Sequence, residues 1–196
     1  MSLEKNKSRH RSVQRKLMDE GLKLIAMHGL YGCKVEDITA AAAVGKGTFF
    51  NHFGSKDLFV AKLVEQCLAD LDRRLRPLSL TVGSPESLLS NLGGVYLRYF
   101  QLRPEVAALL IQAKSLPLDS EAGQMIRKSI ESHLNLVSKL LAPIGKTMGW
   151  QDNLGELALS LFSLSCGFFW MGQGLFTPPT HLLERLSKVL AKGLTK

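Results

Sequence analysis

An all-α fold is what this chain of 196 residues predicts, and three observations predict it. Apolar residues recur at spacings of three and four along most of the chain, no segment alternates as a strand would, and glycine or proline falls where a helix has to stop. Those stops divide the chain into a small three-helix head over residues 1–54, a connecting helix over 55–76 and a larger helical body over 77–196.

From Val13 to His28, Leu17, Leu24 and Ile25 form a helical stripe with Met18 and Leu22 beside them, and Gly29 suits a left-handed stop. The second helix, Val35 to Ala42, sets Val35, Ile38 and Ala42 on one face. Glu36 and Asp37 stand in its first turn, where negative charge suits the helix dipole. Only Ala43, Val44 and Gly45 remain for a turn before a third helix of about two turns that ends near Phe53, with Gly45 as its N-cap. Ser55 is a natural N-cap for the fourth. Asp57 lies in its first turn, Leu58, Phe59, Leu63 and Val64 form its apolar stripe, and Pro77 stops it after Arg76.

Beyond Pro85 the pattern becomes roughly five longer amphipathic segments. Their breaks are expected at Arg103-Pro104, Leu116-Pro117, Ala142 to Gly149 and Thr177-Pro178-Pro179. The most apolar stretch, "LALSLFSLSCGFFWMGQGLF", is interrupted by glycine and polar residues, so it reads as a buried helix and not as a membrane span. No apolar signal-peptide core follows the basic N-terminus. No repeat or low-complexity tract stands out.

The 25 Lys and Arg against 17 Asp and Glu give a net charge of +8, which favours a polyanionic partner. Most of the excess sits in residues 1–16, where Lys5, Lys7, Arg9, Arg11, Arg15 and Lys16 face only Glu4. The rest of the chain is nearly neutral. Cys33, Cys67 and Cys166 are odd in number and far apart, which argues against a disulfide framework or a zinc spacing and for a reducing compartment. His28, His133 and His181 have no spacing that would hold a metal, so neither metal nor cofactor is expected. The chain has no GxSxG, P-loop, HExxH or paired acid–base pattern, and an enzyme is not expected.

Two helices joined by so tight a turn, the second short and both preceded by a basic arm, have the layout of a helix-turn-helix unit. A helix that enters a major groove keeps one side apolar and offers the other to base edges. Val44, Phe49 or Phe50, and Phe53 can anchor it. That leaves Lys46, Gly47, Thr48, one of the two phenylalanines, Asn51 and His52 for the surface. Gly47 lets the helix N-terminus approach phosphate closely, and Lys46 and Lys56 flank the helix where they would neutralise phosphates. Asn51 suits adenine, and an exposed phenylalanine suits a thymine methyl group. The arm, with Arg9 and Arg11, would add duplex contacts.

The run from Leu17 to Leu58, and above all "VGKGTFFNHFGSKDL", resembles the DNA-binding head of the tetracycline-repressor (TetR) family of bacterial transcription regulators. The resemblance covers about a quarter of the chain and is architectural elsewhere. It implies that Lys46, Thr48, Phe49, Asn51 and His52 lie on the recognition helix, with Lys46 and Phe49 nearer to bases. It also implies that His52 and Lys56 contact phosphate. Cys33 and Lys34 stand where the family often has two threonines, one a helix cap and phosphate contact. Ala43 stands for the family's turn glycine, and Gly45 for its capping serine.

The same resemblance implies a cytoplasmic homodimeric repressor whose partners are a double-stranded DNA operator, a second copy of itself and a small-molecule effector. Tyr96, Tyr99, Met125, His133, Cys166, Phe169, Trp170 and Gln173 are candidates to line an effector pocket, each with plain core or interface as its alternative. With no buried charge constellation visible in the sequence, the effector is expected to be apolar or neutral. Leu161, Phe168, Leu182, Leu186 and Val189 are candidates for a four-helix dimer interface. Two other readings stay open: a helical carrier or enzyme with a basic tail, and a regulator that works without a ligand.

Overall fold

A computed structural model describes residues 2–80, 84–149 and 151–172. Those residues form eight α-helices and three 3-10 turns, with no strand among them. The helices are α1 (Ser2–Gly32), α2 (Val35–Ala41), α3 (Lys46–Phe53), α4 (Lys56–Leu75), α5 (Pro85–Leu102), α6 (Pro104–Gln112), α7 (Glu121–Met148) and α8 (Leu154–Gly172). The turns span Arg76–Leu80, Ala113–Ser115 and Gln151–Asn153.

Helix α1 begins at Ser2 and not near Val13, so the basic arm is a helical extension. Residues 2–16 contain no glycine or proline that would stop it. The expected stop at Gly29 is a break inside the element: Gly29 takes φ 77° and ψ 162°, and the chain turns once more before Gly32. At the expected break spanning Ala142 to Gly149, α7 runs through Pro143 to Met148 and stops at the far end of that span, before Gly149, whose φ is 74°. Burial holds the helix across the missing proline donor. Leu140 and Leu141 lie inside, and a Cβ at Gly145 would stand 2.7 Å from Leu154. The expected break at Thr177 and a fifth body helix lie outside the described residues.

The chain divides into two compact units, residues 1–65 with 108–126, and residues 66–107 with 127–196. In the first, α1 packs on α2 and α2 on α3. Leu17, Ile25, Ile38, Phe49 and Phe59 are sealed from solvent there. In the second, α5 packs on α8, and Leu71, Leu92, Tyr96 and Phe100 are sealed. Helix α8 shows its inward stripe at the expected period: Ala158, Leu161, Phe162, Ser165, Cys166 and Phe169 are all buried. By length and composition alone, Gln151–Met171 is apolar enough to cross a membrane. One side of it packs inward, and Ser160, Ser163 and Ser165 interrupt its apolar run.

Candidate nucleic-acid interface

The geometry that presents α3 begins with how α2 ends. Val44 N–H donates to the Thr39 carbonyl at 3.0 Å and Ala43 N–H to the Ala40 carbonyl at 3.0 Å. This is the paired bonding of a Schellman stop, which needs a left-handed residue between the two. Ala43 takes that role with φ 54°, so the backbone keeps the conformation a glycine would adopt there. Gly45 follows as the N-cap of α3 in extended backbone, and its carbonyl accepts from Thr48 N–H at 2.9 Å. Ser55 caps α4 as expected, its hydroxyl accepting from Leu58 N–H at 3.1 Å.

An aromatic cluster holds α3 at its angle. Phe49 lies 5.2 Å from Phe53 and 5.0 Å from Phe59, and Phe53 and Phe59 meet edge to face at 4.8 Å. Phe49 is therefore core, with no exposed surface, and the expectation that it lies near bases is corrected. Phe50, one residue on and rotated by about 100°, is 40% exposed. Of the two phenylalanines, it is the one offered to solvent.

The other expected contact residues are distributed as follows. Lys46, Gly47 and Asn51 are exposed, and Thr48 and His52 are half-buried. A Cβ built on Gly47 meets nothing within 4 Å, so the first turn of α3 is bare. Lys46 is paired with Glu36 of α2, which holds the Glu36 carboxyl below the usual carboxylate range. Lys34 is exposed as the N-cap residue of α2. Its side chain does no capping; instead its backbone N–H donates to Asp37 Oδ2 at 2.9 Å. Arg9 and Arg11 are exposed on α1. Lys56 is half-buried, and its ammonium donates to the Leu30 carbonyl at 2.5 Å.

His10 of α1 lies against His52, with ring centroids 3.9 Å apart and the rings tilted by 40°. Burial, and then the neighbouring His10, push the His52 imidazole below its ordinary value. Its Nδ1 is buried with no hydrogen-bond partner among the described residues. Glu36, His10 and Gln112, whose side chain reaches Leu30, belong to this surface's supporting structure and were not anticipated. Each acts across a distance in sequence that periodicity does not measure. Only the Glu36 carboxylate, in the same helix-turn-helix run as Lys46, offered any signal.

In the second unit the expected pocket residues divide. Tyr96 and His133 are sealed and share a hydrogen bond of 2.7 Å between Tyr96 Oη and His133 Nε2. Asp72 Oδ1 lies 2.6 Å from His133 Nδ1. A buried polar constellation is thus present where the sequence offered none to see, because it is assembled from three helices. Tyr99 donates to the Cys67 carbonyl at 2.9 Å, with the Arg74 guanidinium 5.4 Å from its ring centre. Burial pushes the Cys67 and Cys166 thiols up to about 12. Phe169 packs near Phe100 at 6.1 Å. Met125 falls in the first unit and Trp170 is 44% exposed, so neither joins this group. Gln173 lies outside the described residues. Among the described residues no group of three or more His, Cys, Asp or Glu could hold a metal.

The dimer-face expectation also needs correcting. Leu161 points inward and is buried because it shares the stripe of Ala158 and Ser165, whereas Phe168 is half-buried. The apolar residues that α8 leaves outside are Leu159, Leu164, Trp170 and Met171. Leu182, Leu186 and Val189 lie outside the described residues.

A short exposed helix with a bare first turn, set by a tight stop and an aromatic cluster, makes the first unit a helix-turn-helix head. Residues 17–63, about a quarter of the chain, match the family model described as bacterial regulatory proteins, tetR family. Over 63 residues it is 40% identical to the HTH-type transcriptional repressor DhaR of Mycobacterium sp. (strain GP1), a match that spans 32% of this chain and 32% of that repressor.

Over 93% of the chain the fold is similar to the fatty acid degradation regulator FadR of Bacillus halodurans, with a TM-score of 0.76, 20% identity and 96% of that chain covered. It is also similar to FadR of Bacillus subtilis in complex with stearoyl-CoA, with a TM-score of 0.73, 16% identity, and 93% and 97% of the two chains covered. A tetR-family regulatory protein of Rhodococcus RHA1 gives a TM-score of 0.75 at 14% identity, covering 93% and 96%. At these identities the likeness is one of fold.

Proposed function

We propose that the protein is a sequence-specific DNA-binding regulator, a homodimeric cytoplasmic repressor that leaves a palindromic operator when a small molecule occupies its body. The head is assigned to residues 1–54, the connecting helix to 55–76 and the effector-binding and dimerising body to 77–196. The observation that carries this reading is α3 itself. Its first turn is bare at Gly47, its inner side is locked by Phe49, and Lys46, Phe50 and Asn51 face outward.

Lys46, Thr48, Phe50 and Asn51 are assigned to base edges or the groove wall. Lys34, His52, Lys56, Arg9 and Arg11 are assigned to phosphates, where they add affinity without choosing sequence. Lys46 has to leave Glu36 to make its contact, so its own gain is reduced while Glu36 discourages a misplaced phosphate.

An effector that binds better to the form with its heads spread draws the population away from DNA by its differential affinity for the two forms. Tyr96, Tyr99, His133, Cys166 and Phe169 are assigned to the effector region. Their largely apolar surroundings, and a neighbour in fold that holds stearoyl-CoA, support an apolar effector. The buried Tyr96–His133–Asp72 group would add one polar requirement to it.

The test is selection of duplexes from a random pool by the purified protein at physiological salt. Titration of the recovered duplex with wild type and with the Lys46→Ala, Asn51→Ala double variant follows. A recovered palindrome whose preference the variant relaxes by about 10-fold or more supports the reading, since one good base contact is worth roughly 1–3 kcal/mol. No enrichment, with equal weak binding by both proteins, refutes it.

A further inference from the structure

Leu30 sits between two interruptions, and each leaves one of its backbone groups without the usual helical partner. Gly29, at φ 77° and ψ 162°, turns the Leu30 N–H out of the preceding turn. Four residues later, the N–H that would normally bond the Leu30 carbonyl belongs to Lys34, and it is committed to Asp37 Oδ2. Buried or half-buried backbone groups seldom stay unpaired. Both are taken by side chains from elsewhere in the first unit. Gln112 Oε1, at the end of α6, accepts from Leu30 N–H at 2.5 Å. Lys56 Nζ, at the start of α4, donates to the Leu30 carbonyl at 2.5 Å.

We infer that Gln112 is a positioning residue for DNA binding that acts through Leu30 on Lys56. This rests on the reading that Lys56 contacts phosphate. An ammonium carries three donors, and the Leu30 carbonyl uses one of them. That bond holds a four-carbon side chain in one orientation with its other donors free for phosphate, so less conformational freedom is lost on docking. The carbonyl can serve as a fixed post only if the chain after Gly29 is itself fixed. Gln112 fixes it, and a Cβ built on Gly29 would lie 3.5 Å from the same Gln112 oxygen. Three helices thus contribute to placing one cation: α6 holds α1, and α1 holds the side chain of α4.

The experiment reads phosphate contacts directly. Affinity for a fluorescein-labelled random-sequence duplex of roughly three helical turns is measured against salt for wild type, Gln112→Met, Gln112→Asn, Lys56→Gln and the Gln112→Met, Lys56→Gln pair. Each lost contact lowers the slope of log affinity on log salt by about 0.9. Lys56→Gln is expected to lose that amount. Gln112→Met, which removes the acceptor, and Gln112→Asn, which withdraws it by about one bond length, are expected to lose a large part of it. The pair is expected to lose no more than Lys56→Gln alone.

Amide exchange at Leu30 should quicken in both Gln112 variants. A variant that merely folds less well lowers the active fraction and leaves the slope unchanged. A full wild-type slope in the folded Gln112 variants, beside a reduced one in Lys56→Gln, overturns the role of Gln112 and spares the DNA reading. An unchanged slope in Lys56→Gln overturns both this relay and the phosphate assignment beneath it.

Discussion

At Ala43 the backbone takes φ 54° on an exposed residue, a conformation that an L side chain resists by about 1–2 kcal/mol. Nothing packs against that methyl group strongly enough to offset it, because the residue is exposed. Ala43→Gly is expected to stabilise the protein by about 0.5–1 kcal/mol, read as a rise in urea midpoint at constant slope.

His52 responds to pH in a direction its surroundings set. Its folded-state value lies below the ordinary one, first because burial disfavours the charged ring and then because the charge of the neighbouring His10 opposes a second positive charge. The unfolded chain therefore binds the proton more readily. The contribution of His52 is fully present above about pH 6.5 and is lost as pH falls through that value toward the lowered one. The thermal midpoint of wild type should drop more than that of His52→Gln between about pH 7.5 and about pH 5.5. Equal drops would show that these surroundings do not resist protonation of His52.

Between elements, α1 fits tightly on α4. A Cβ at Gly21 would stand 2.3 Å from Phe59 Cζ, and that ring is sealed among Phe49 and Phe53, with nowhere to retreat. Gly21→Ala is therefore expected to destabilise the head by about 1–3 kcal/mol despite alanine's better helix propensity, as calorimetry of the purified protein would show. Such a contact is invisible in the sequence, where Gly21 looks like a flaw in a helical stripe. The helices themselves were legible because their signals are local. Gly29, Gly45, Ser55 and the Arg103-Pro104 step mark ends through backbone chemistry alone. Pro143 does not end α7, because burial on either side outweighs one missing donor. Phe49 and Phe50 could not be told apart until the position of Phe59 selected one of them.

For the molecule as a whole, the outer face of α8 sets the expectation. Leu159, Leu164, Trp170 and Met171 are exposed there beside Ser160 and Ser163, an apolar surface suited to a second copy. Leu164→Lys combined with Trp170→Glu should turn the proposed dimer into a monomer in sedimentation velocity. Operator affinity should fall by about 100-fold or more, since linkage of two half-sites is lost. The sequence reading placed its expected interface in this region but chose Leu161 from a helix that is apolar nearly all round. Only the neighbouring helices divide such a helix into an inside and an outside. The Tyr96–His133–Asp72 group was beyond reach for the same reason, since its members lie 37 and 61 residues apart in pairs.

The bare turn at Gly47 also bears on genetics. A Cβ added at that position would meet no neighbouring side chain within 4 Å, so a small substitution there would leave the fold intact while obstructing the approach to the duplex. In the proposed homodimer, with copies that mix freely, a cell making equal amounts of altered and unaltered chain would retain roughly one fully competent pair in four. An allele of this kind would therefore be dominant, silencing the intact gene product beside it.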